Sequence, residues 1–246
     1  MQIQTTYKTV HCLLSTAHCF LLRAWPNKCD YSSMEICILP ANLELTDLLD
    51  AEGRLKLLPA AAYDAISRNA VRLWCHNFAR YGLPTIELVN WLKARIAGHT
   101  AIEIGSGAGD LAFHLGIPAT DNRMQEWPMI KFNYTMTGQP VIQYPDFVQE
   151  LDALTAVAQY QPDVVIASWV TQWIDPDLPP PETGGNVWGI KEDEILATGC
   201  TYILIGNQKV HGDKKIMAAP HEEFVLPFLR SRANYPALDR VWVWNA

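Results

Sequence analysis

The feature that most constrains this chain is residues 101–110, Ala-Ile-Glu-Ile-Gly-Ser-Gly-Ala-Gly-Asp. A short apolar run that meets three glycines at alternate positions reads as a strand turning sharply into a helix. Glycine is needed where the backbone takes positive φ, or where a ligand must approach the main chain without a Cβ in the way. Dinucleotide sites use G-x-G-x-x-G to seat a pyrophosphate on the helix N-terminus. Here the spacing is G-x-G-x-G, and Glu103 stands two positions before the first glycine. An acid there opposes a pyrophosphate and suits a cationic ligand. Taken alone, the glycines also fit any tight strand-to-helix turn.

The flanking sequence supplies the fold class. From about Ala60 to Arg80, Ala61, Ala65, Ile66, Val71, Leu73, Trp74 and Phe78 recur at three- and four-residue steps, predicting an amphipathic helix. Gly82-Leu83-Pro84-Thr85 stops it, with Thr85 as N-cap of a second helix that runs to Ile96 and ends at Gly98. Strand-like runs then follow at 100–104, 117–120, 147–151, 163–167, 202–205 and 241–244. Asp163-Val164-Val165-Ile166-Ala167 is nearly continuous β-branched sequence, the mark of a parallel strand covered on both faces. Strands alternating with helical stretches predict an α/β, doubly wound, mostly parallel sheet preceded by N-terminal helices. The expected organisation is an atypical extension over 1–33, a helical segment over 34–98 and a cofactor-binding core over 99–246, with 34–246 forming one domain.

In this setting the glycine segment resembles the first motif of the class I S-adenosylmethionine-dependent methyltransferases, and the resemblance extends from about Leu88 to Ile205. It implies a Rossmann-like core and S-adenosylmethionine as cofactor, with Glu103 and the backbone of Gly105, Ser106, Gly107 and Gly109 holding the methionine end. The second strand of the family ends in an acid for the ribose hydroxyls, here Asp121 in Ile117-Pro118-Ala119-Thr120-Asp121. The third ends in an acid and a small residue near the adenine, here Asp152-Ala153. The fourth leads to Ser168-Trp169-Val170-Thr171-Gln172-Trp173, where the family places its acceptor pocket. Two departures stand out. Asp121 lies so soon after Gly109 that the first helix must shrink to about two turns, and 122–146 is long enough to hold an insertion near the cofactor or the acceptor.

The acceptor is less legible. Trp169 and Trp173 could stack on a flat acceptor or flank a sulfonium, or serve as core and lid aromatics. Asn207 and His211 follow the fifth strand, at the carboxyl-end crevice; His211 is a candidate general base or simply an exposed loop histidine. Asp121 and Asp152 have a plain alternative as strand-end or helix-capping residues. His211 and His221 lack the spacing of a zinc pair, Glu222-Glu223 reads equally as a helix start after Pro220, and no metal is predicted.

Composition narrows the partners. With 49% hydrophobic residues and 18% charged, the chain is neither disordered nor, lacking a long apolar run, membrane-spanning. Net charge is −7, and between Phe132 and Ile190 no Lys or Arg opposes Asp146, Glu150, Asp152, Asp163, Asp175, Asp177 and Glu182. A polyanion is repelled there. The loop after the fourth strand also lacks the Asp/Asn-Pro-Pro-aromatic sequence of amino-directed DNA methyltransferases. A small molecule or a protein side chain is the expected acceptor, and nucleic acid is not. Residues 9–24 look faintly like an export signal, but His11 and His18 interrupt them. With six cysteines none of which forms a C-x-x-C pair, a reduced cytoplasmic protein is expected. Two other readings remain open: a non-catalytic cofactor-binding or regulatory protein, and a nicotinamide-dependent oxidoreductase.

Overall fold

The computed structural model describes residues 48–178 and 184–245. The expected head (1–33), four of the six cysteines and the prolines at 179–181 lie outside these. The amphipathic run after Pro59 forms two helices rather than one, α1 (Ala60–Asp64) and α2 (Arg68–Asn77). Ser67 explains the break, because its hydroxyl accepts from the Ala70 N–H at 3.3 Å and opens a new helix. Strand β1 (Gly82–Leu83) follows. Helix α3 (Ile86–Ile96) is capped by Thr85, whose hydroxyl accepts from the Leu88 N–H at 3.1 Å.

Then come β2 (Ala101–Ile104), α4 (Asp110–Leu115), β3 (Ala119–Asp121), α5 (Pro128–Met136), β4 (Val148–Glu150), α6 (Ala153–Tyr160) and β5 (Val164–Ser168). After these run α7 (Glu192–Leu196), β6 (Thr201–Asn207), α8 (Gln208–His211), β7 (Glu222–Phe224), β8 (Arg230–Ser231) and β9 (Asp239–Trp244). Helix α4 has six residues, the short crossover that the early Asp121 demands. The segment Glu222–Phe224 is a strand, which corrects the expectation of a helix start there. Its pairing with β9, and the bonds from Trp242 Nε1 and Arg240 Nε to the Glu223 carboxylate at 2.9 and 3.0 Å, override the local helical preference of Glu-Glu.

The main sheet has seven strands in the order β4-β3-β2-β5-β6-β9-β7. β2 to β6 are mutually parallel, whereas β9 is antiparallel to both β6 and β7. The strand order reverses between β2 and β5, so the crevice at their carboxyl ends is the topological switch point, where open α/β sheets bind ligands.

Period-two alternation divides the core. Ile102, Ile104, Val165, Ala167, Tyr202, Leu204, Trp242 and Trp244 face α6 and α7. Ala101, Val164, Ile166, Ile203, Ile205, Val241 and Val243 face α3 and α4. Glu103 falls on the second face, between Ala101 and the start of α4. A smaller cluster of Leu48, Leu55, Tyr63, Val71, Trp74 and Leu83 forms the N-terminal lobe. It is tied to α4 through the bonds of Leu55 N to Asp110 (2.8 Å) and of a His114 ring nitrogen to Leu55 O (2.7 Å). A two-stranded ladder, β1 with β8, joins that lobe to the C-terminal region.

Candidate functional site

The glycine turn joins β2 to α4 through three left-handed residues, Gly105 (φ 55°), Gly107 (φ 57°) and Gly109 (φ 71°). At two of these a side chain is sterically barred as well as conformationally strained. A Cβ on Gly105 would lie 2.8 Å from Val170 Cγ1, and one on Gly109 would lie 2.7 Å from the Phe147 ring. The turn is held from below by Asp121. Its two carboxylate oxygens accept from Gly107 N at 2.9 Å and Arg123 N at 2.8 Å. Ser106 N donates to Thr120 O at 3.0 Å.

Glu103 is 1% exposed. One of its oxygens accepts from Ala112 N at 2.8 Å, which serves a free N–H of the first turn of α4 where Gly109 has no side chain to do so. No cation pairs with it among the described residues. Burial, reinforced by the charges of Asp110 and Asp121, pushes its carboxyl up to about 8. Asp110 and Asp121 are also raised by burial; Asp110 has a counter-ion, Arg80, at 2.6 Å. Three buried carboxylates thus converge on one glycine turn.

A cavity of about 440 Å³ opens at the carboxyl ends of β2, β3, β5 and β6. Of the residues singled out in the sequence, Glu103, Gly105, Ser106, Gly107, Asp121, Asp152, Ala153, Ser168, Trp169 and Trp173 line it, and Gly109, Asn207 and His211 do not. Gly109 sits behind the turn against Phe147 and Val148. Asn207 is spent on structure: its amide donates to Asp239 at 2.7 Å and Tyr235 O at 2.8 Å, and its oxygen accepts from Lys209 N at 3.1 Å as the N-cap of α8.

His211 is 3% exposed rather than an open loop residue, and its Nδ1 takes the Asn207 N–H at 3.0 Å. Burial and the neighbouring Lys214 push its pKa down to about 3, so it is neutral. Asp152 caps α6: one oxygen accepts from Leu154 N and Thr155 N, each at 3.1 Å, and the other from the Thr155 hydroxyl at 2.5 Å. Its capping role and its place on the cavity wall coexist, since a carboxylate offers about four acceptor positions. Trp169 holds φ 58°, a left-handed conformation rare for a bulky residue, directly after β5. Trp173 lies at the rim, with the Lys191 ammonium 5.0 Å from its ring centre.

The wall also contains residues that no motif announced. Tyr81 comes from the N-terminal lobe, while Met124, Gln125, Tyr134, Ile142 and Tyr144 come from the long segment between β3 and β4. That segment, the expected insertion between the second and third sheet strands, lines one side of the cavity. Ser106 Oγ is buried without a hydrogen-bond partner, a polar atom on the wall that a ligand could satisfy. Among the described residues no group of three or more metal-ligating side chains occurs, and no helix is long and apolar enough to cross a membrane.

No protein-family model and no curated protein matches the chain. Solved structures similar to it are distant. One, a protein provisionally named a methyltransferase and crystallised with S-adenosylhomocysteine, is 9% identical with a TM-score of 0.33, over 64% of this chain and 48% of that one. The chain therefore spans about half the length of that relative. Another, protein 1320 of Thermoplasma acidophilum, is 16% identical with a TM-score of 0.27, over 62% of this chain and 80% of that one.

Proposed function

We propose that the chain is an S-adenosylmethionine-dependent methyltransferase acting on a small-molecule or protein acceptor. The observation that carries this reading is the unpaired, buried Glu103 beside a glycine turn at the switch point of a doubly wound sheet. The Glu103 end of the cavity favours a cationic ligand group and penalises a phosphate. The ammonium and sulfonium of S-adenosylmethionine meet that demand, and the unpartnered Ser106 hydroxyl offers the same ligand a hydrogen bond. An oxidoreductase using a nicotinamide dinucleotide is disfavoured on the same ground. The antiparallel β9 beside β6 is a further departure from the parallel 3-2-1-4-5-6 dinucleotide fold.

In this reading Glu103 and the turn backbone hold the methionine end, Asp121 accepts from the ribose hydroxyls, and Asp152 with Ala153 borders the adenine. The cofactor supplies a methyl carbon already activated by its sulfonium. The chain then contributes position: Tyr81, Trp169 and the segment around Tyr134 fix the acceptor's approach and keep water out. The non-catalytic alternative draws support from His211, which is absent from this wall, lines the neighbouring smaller cavity instead, and has its ring Nδ1 occupied by the Asn207 N–H.

Calorimetric titration with S-adenosylmethionine and S-adenosylhomocysteine tests the reading. Wild type should bind both and prefer them to NAD, and Asp121→Ala should bind at least tenfold more weakly, having lost both a ligand contact and the anchor of Gly107. Absence of binding at millimolar concentration ends the proposal. Binding without turnover on any acceptor pool selects the regulatory alternative.

A further inference from the structure

A second cavity, of about 340 Å³, shares Tyr81, Trp169, Val170 and Thr171 with the first, so the two are neighbours across the strained tryptophan. Their charged linings differ. Glu103, Asp110, Asp121, Asp152 and Asp239 line the first together with Arg80, Lys191 and Arg230, whereas no carboxylate from the described residues lines the second. Its charged groups are Arg232 and Lys214.

These two cations are not equivalent. Lys214 Nζ is held by both oxygens of Glu192, at 2.8 and 3.0 Å, so its charge is offset internally. Arg232 has no ion-pair partner among the described residues. Its guanidinium lies 3.6 Å from the centre of the Tyr81 ring.

This placement is built by the backbone. The β1–β8 ladder pairs Gly82 with Ser231, and one step further Arg232 N donates to Tyr81 O at 3.0 Å. Ser231 Oγ donates to Asp239 at 2.7 Å and accepts from Ala233 N at 3.1 Å, which locks the turn that follows. A guanidinium stacked by its face on a phenol ring keeps its N–H edge free, and that edge matches a carboxylate in a two-point fork.

We propose that the second cavity takes a small, flat molecule bearing a single carboxylate, anchored by Arg232 and lying along the rings of Trp169 and Tyr81. That this molecule is the methyl acceptor rests on the methyltransferase reading; that the cavity binds an aromatic monoanion does not. One unopposed guanidinium suits one negative charge, in keeping with the absence of basic residues between Phe132 and Ile190. The carboxylate serves as the anchor and is not assigned as the reacting group.

The test uses benzoate and its neutral counterpart benzamide, titrated by ligand-observed NMR onto the full chain with and without S-adenosylhomocysteine. Benzoate should bind at least tenfold more tightly than benzamide. Arg232→Gln should bring the two within about twofold, and Arg232→Lys should retain part of the preference. Because Arg232 is half-buried and holds no ion pair among the described residues, the variants should melt close to wild type. Equal binding of the two probes to wild type, which requires no variant, overturns the proposal, as does a preference that survives Arg232→Gln. A parallel titration with S-adenosylhomocysteine separates the two readings. Preference for benzoate without nucleoside binding leaves the anion site standing and removes the methyltransferase reading; nucleoside binding without the preference does the reverse.

Discussion

Glu103 and Glu192 are almost equally buried, at 1% and 4% exposure, yet they serve opposite ends. Glu192 is enclosed by partners: Lys214 reaches both of its oxygens, and the Tyr202 hydroxyl donates to one at 2.8 Å. Glu103 has one backbone N–H and two further acids nearby. Removing a carboxylate from water is costly, and a buried acid without a partner keeps its proton until a cation beside it favours the charged form. A paired buried acid points to architecture, and an unpaired one beside a cavity points to a ligand.

The largest expected effect breaks the architectural member. Lys214→Met should leave Glu192 buried with only the Tyr202 hydroxyl to offset its charge and cost roughly 3 to 5 kcal/mol in denaturant unfolding, the usual penalty for removing one partner of a buried pair. The double variant Lys214→Met with Glu192→Leu should recover most of that loss. A single variant as stable as wild type would put Glu192 in the same class as Glu103 and erase the contrast.

The second effect is of opposite kind. Glu103→Gln retains an oxygen to accept from Ala112 N but cannot ionise when a cation arrives, so the affinity for S-adenosylmethionine should fall at least tenfold, about 1.4 kcal/mol. Stability should not fall with it. The folded pKa of Glu103 is raised to about 8 from an ordinary value near 4.5, so between these values the folded state holds the proton more tightly than the unfolded. Wild-type stability therefore declines as pH rises through that window. Glu103→Gln should flatten this decline, which melting temperatures at pH 5 and pH 8 would show. A variant that loses affinity only because it unfolds would refute the assignment.

How far the sequence reveals this contrast depends on how local each signal is. The strands β2, β5, β6 and β9 announce themselves by runs of β-branched and aromatic residues, and the turn after β2 by its glycines. Glu103 is legible because it shares that motif. Glu192 and Lys214 are not, since their meeting depends on α7 packing against the turn after α8. The pairing of Tyr81 with Arg232 is hidden for the same reason, as two-residue strands far apart in the chain carry no periodicity. Position after β6 brings neither Asn207 nor His211 to the larger cavity, and His211 lines the smaller one beside it. Here Asn207 caps a single helical turn that folds His211 back against Gly206 and Trp169.

The smallest effect is also the most specific, because it reads the charge of Glu103 directly. With its pKa pushed up to about 8 by burial, Glu103 holds most of a proton at pH 7 in the ligand-free protein. An ammonium placed beside it favours the carboxylate and must lower that pKa, so binding at pH 7 should expel a large part of that proton. Calorimetry in buffers of different ionisation enthalpy measures the number released. The ligand's own amino group titrates near the same pH, and only its free-solution titration is common to Glu103→Gln. The difference between wild type and variant therefore reads the coupled Glu103–ammonium pair. It should be largest between pH 6 and 7 and fade above pH 8, where Glu103 is already ionised. Identical proton release in the two proteins would mean that the cation does not sit against Glu103, and the buried acid would then need another explanation within the fold.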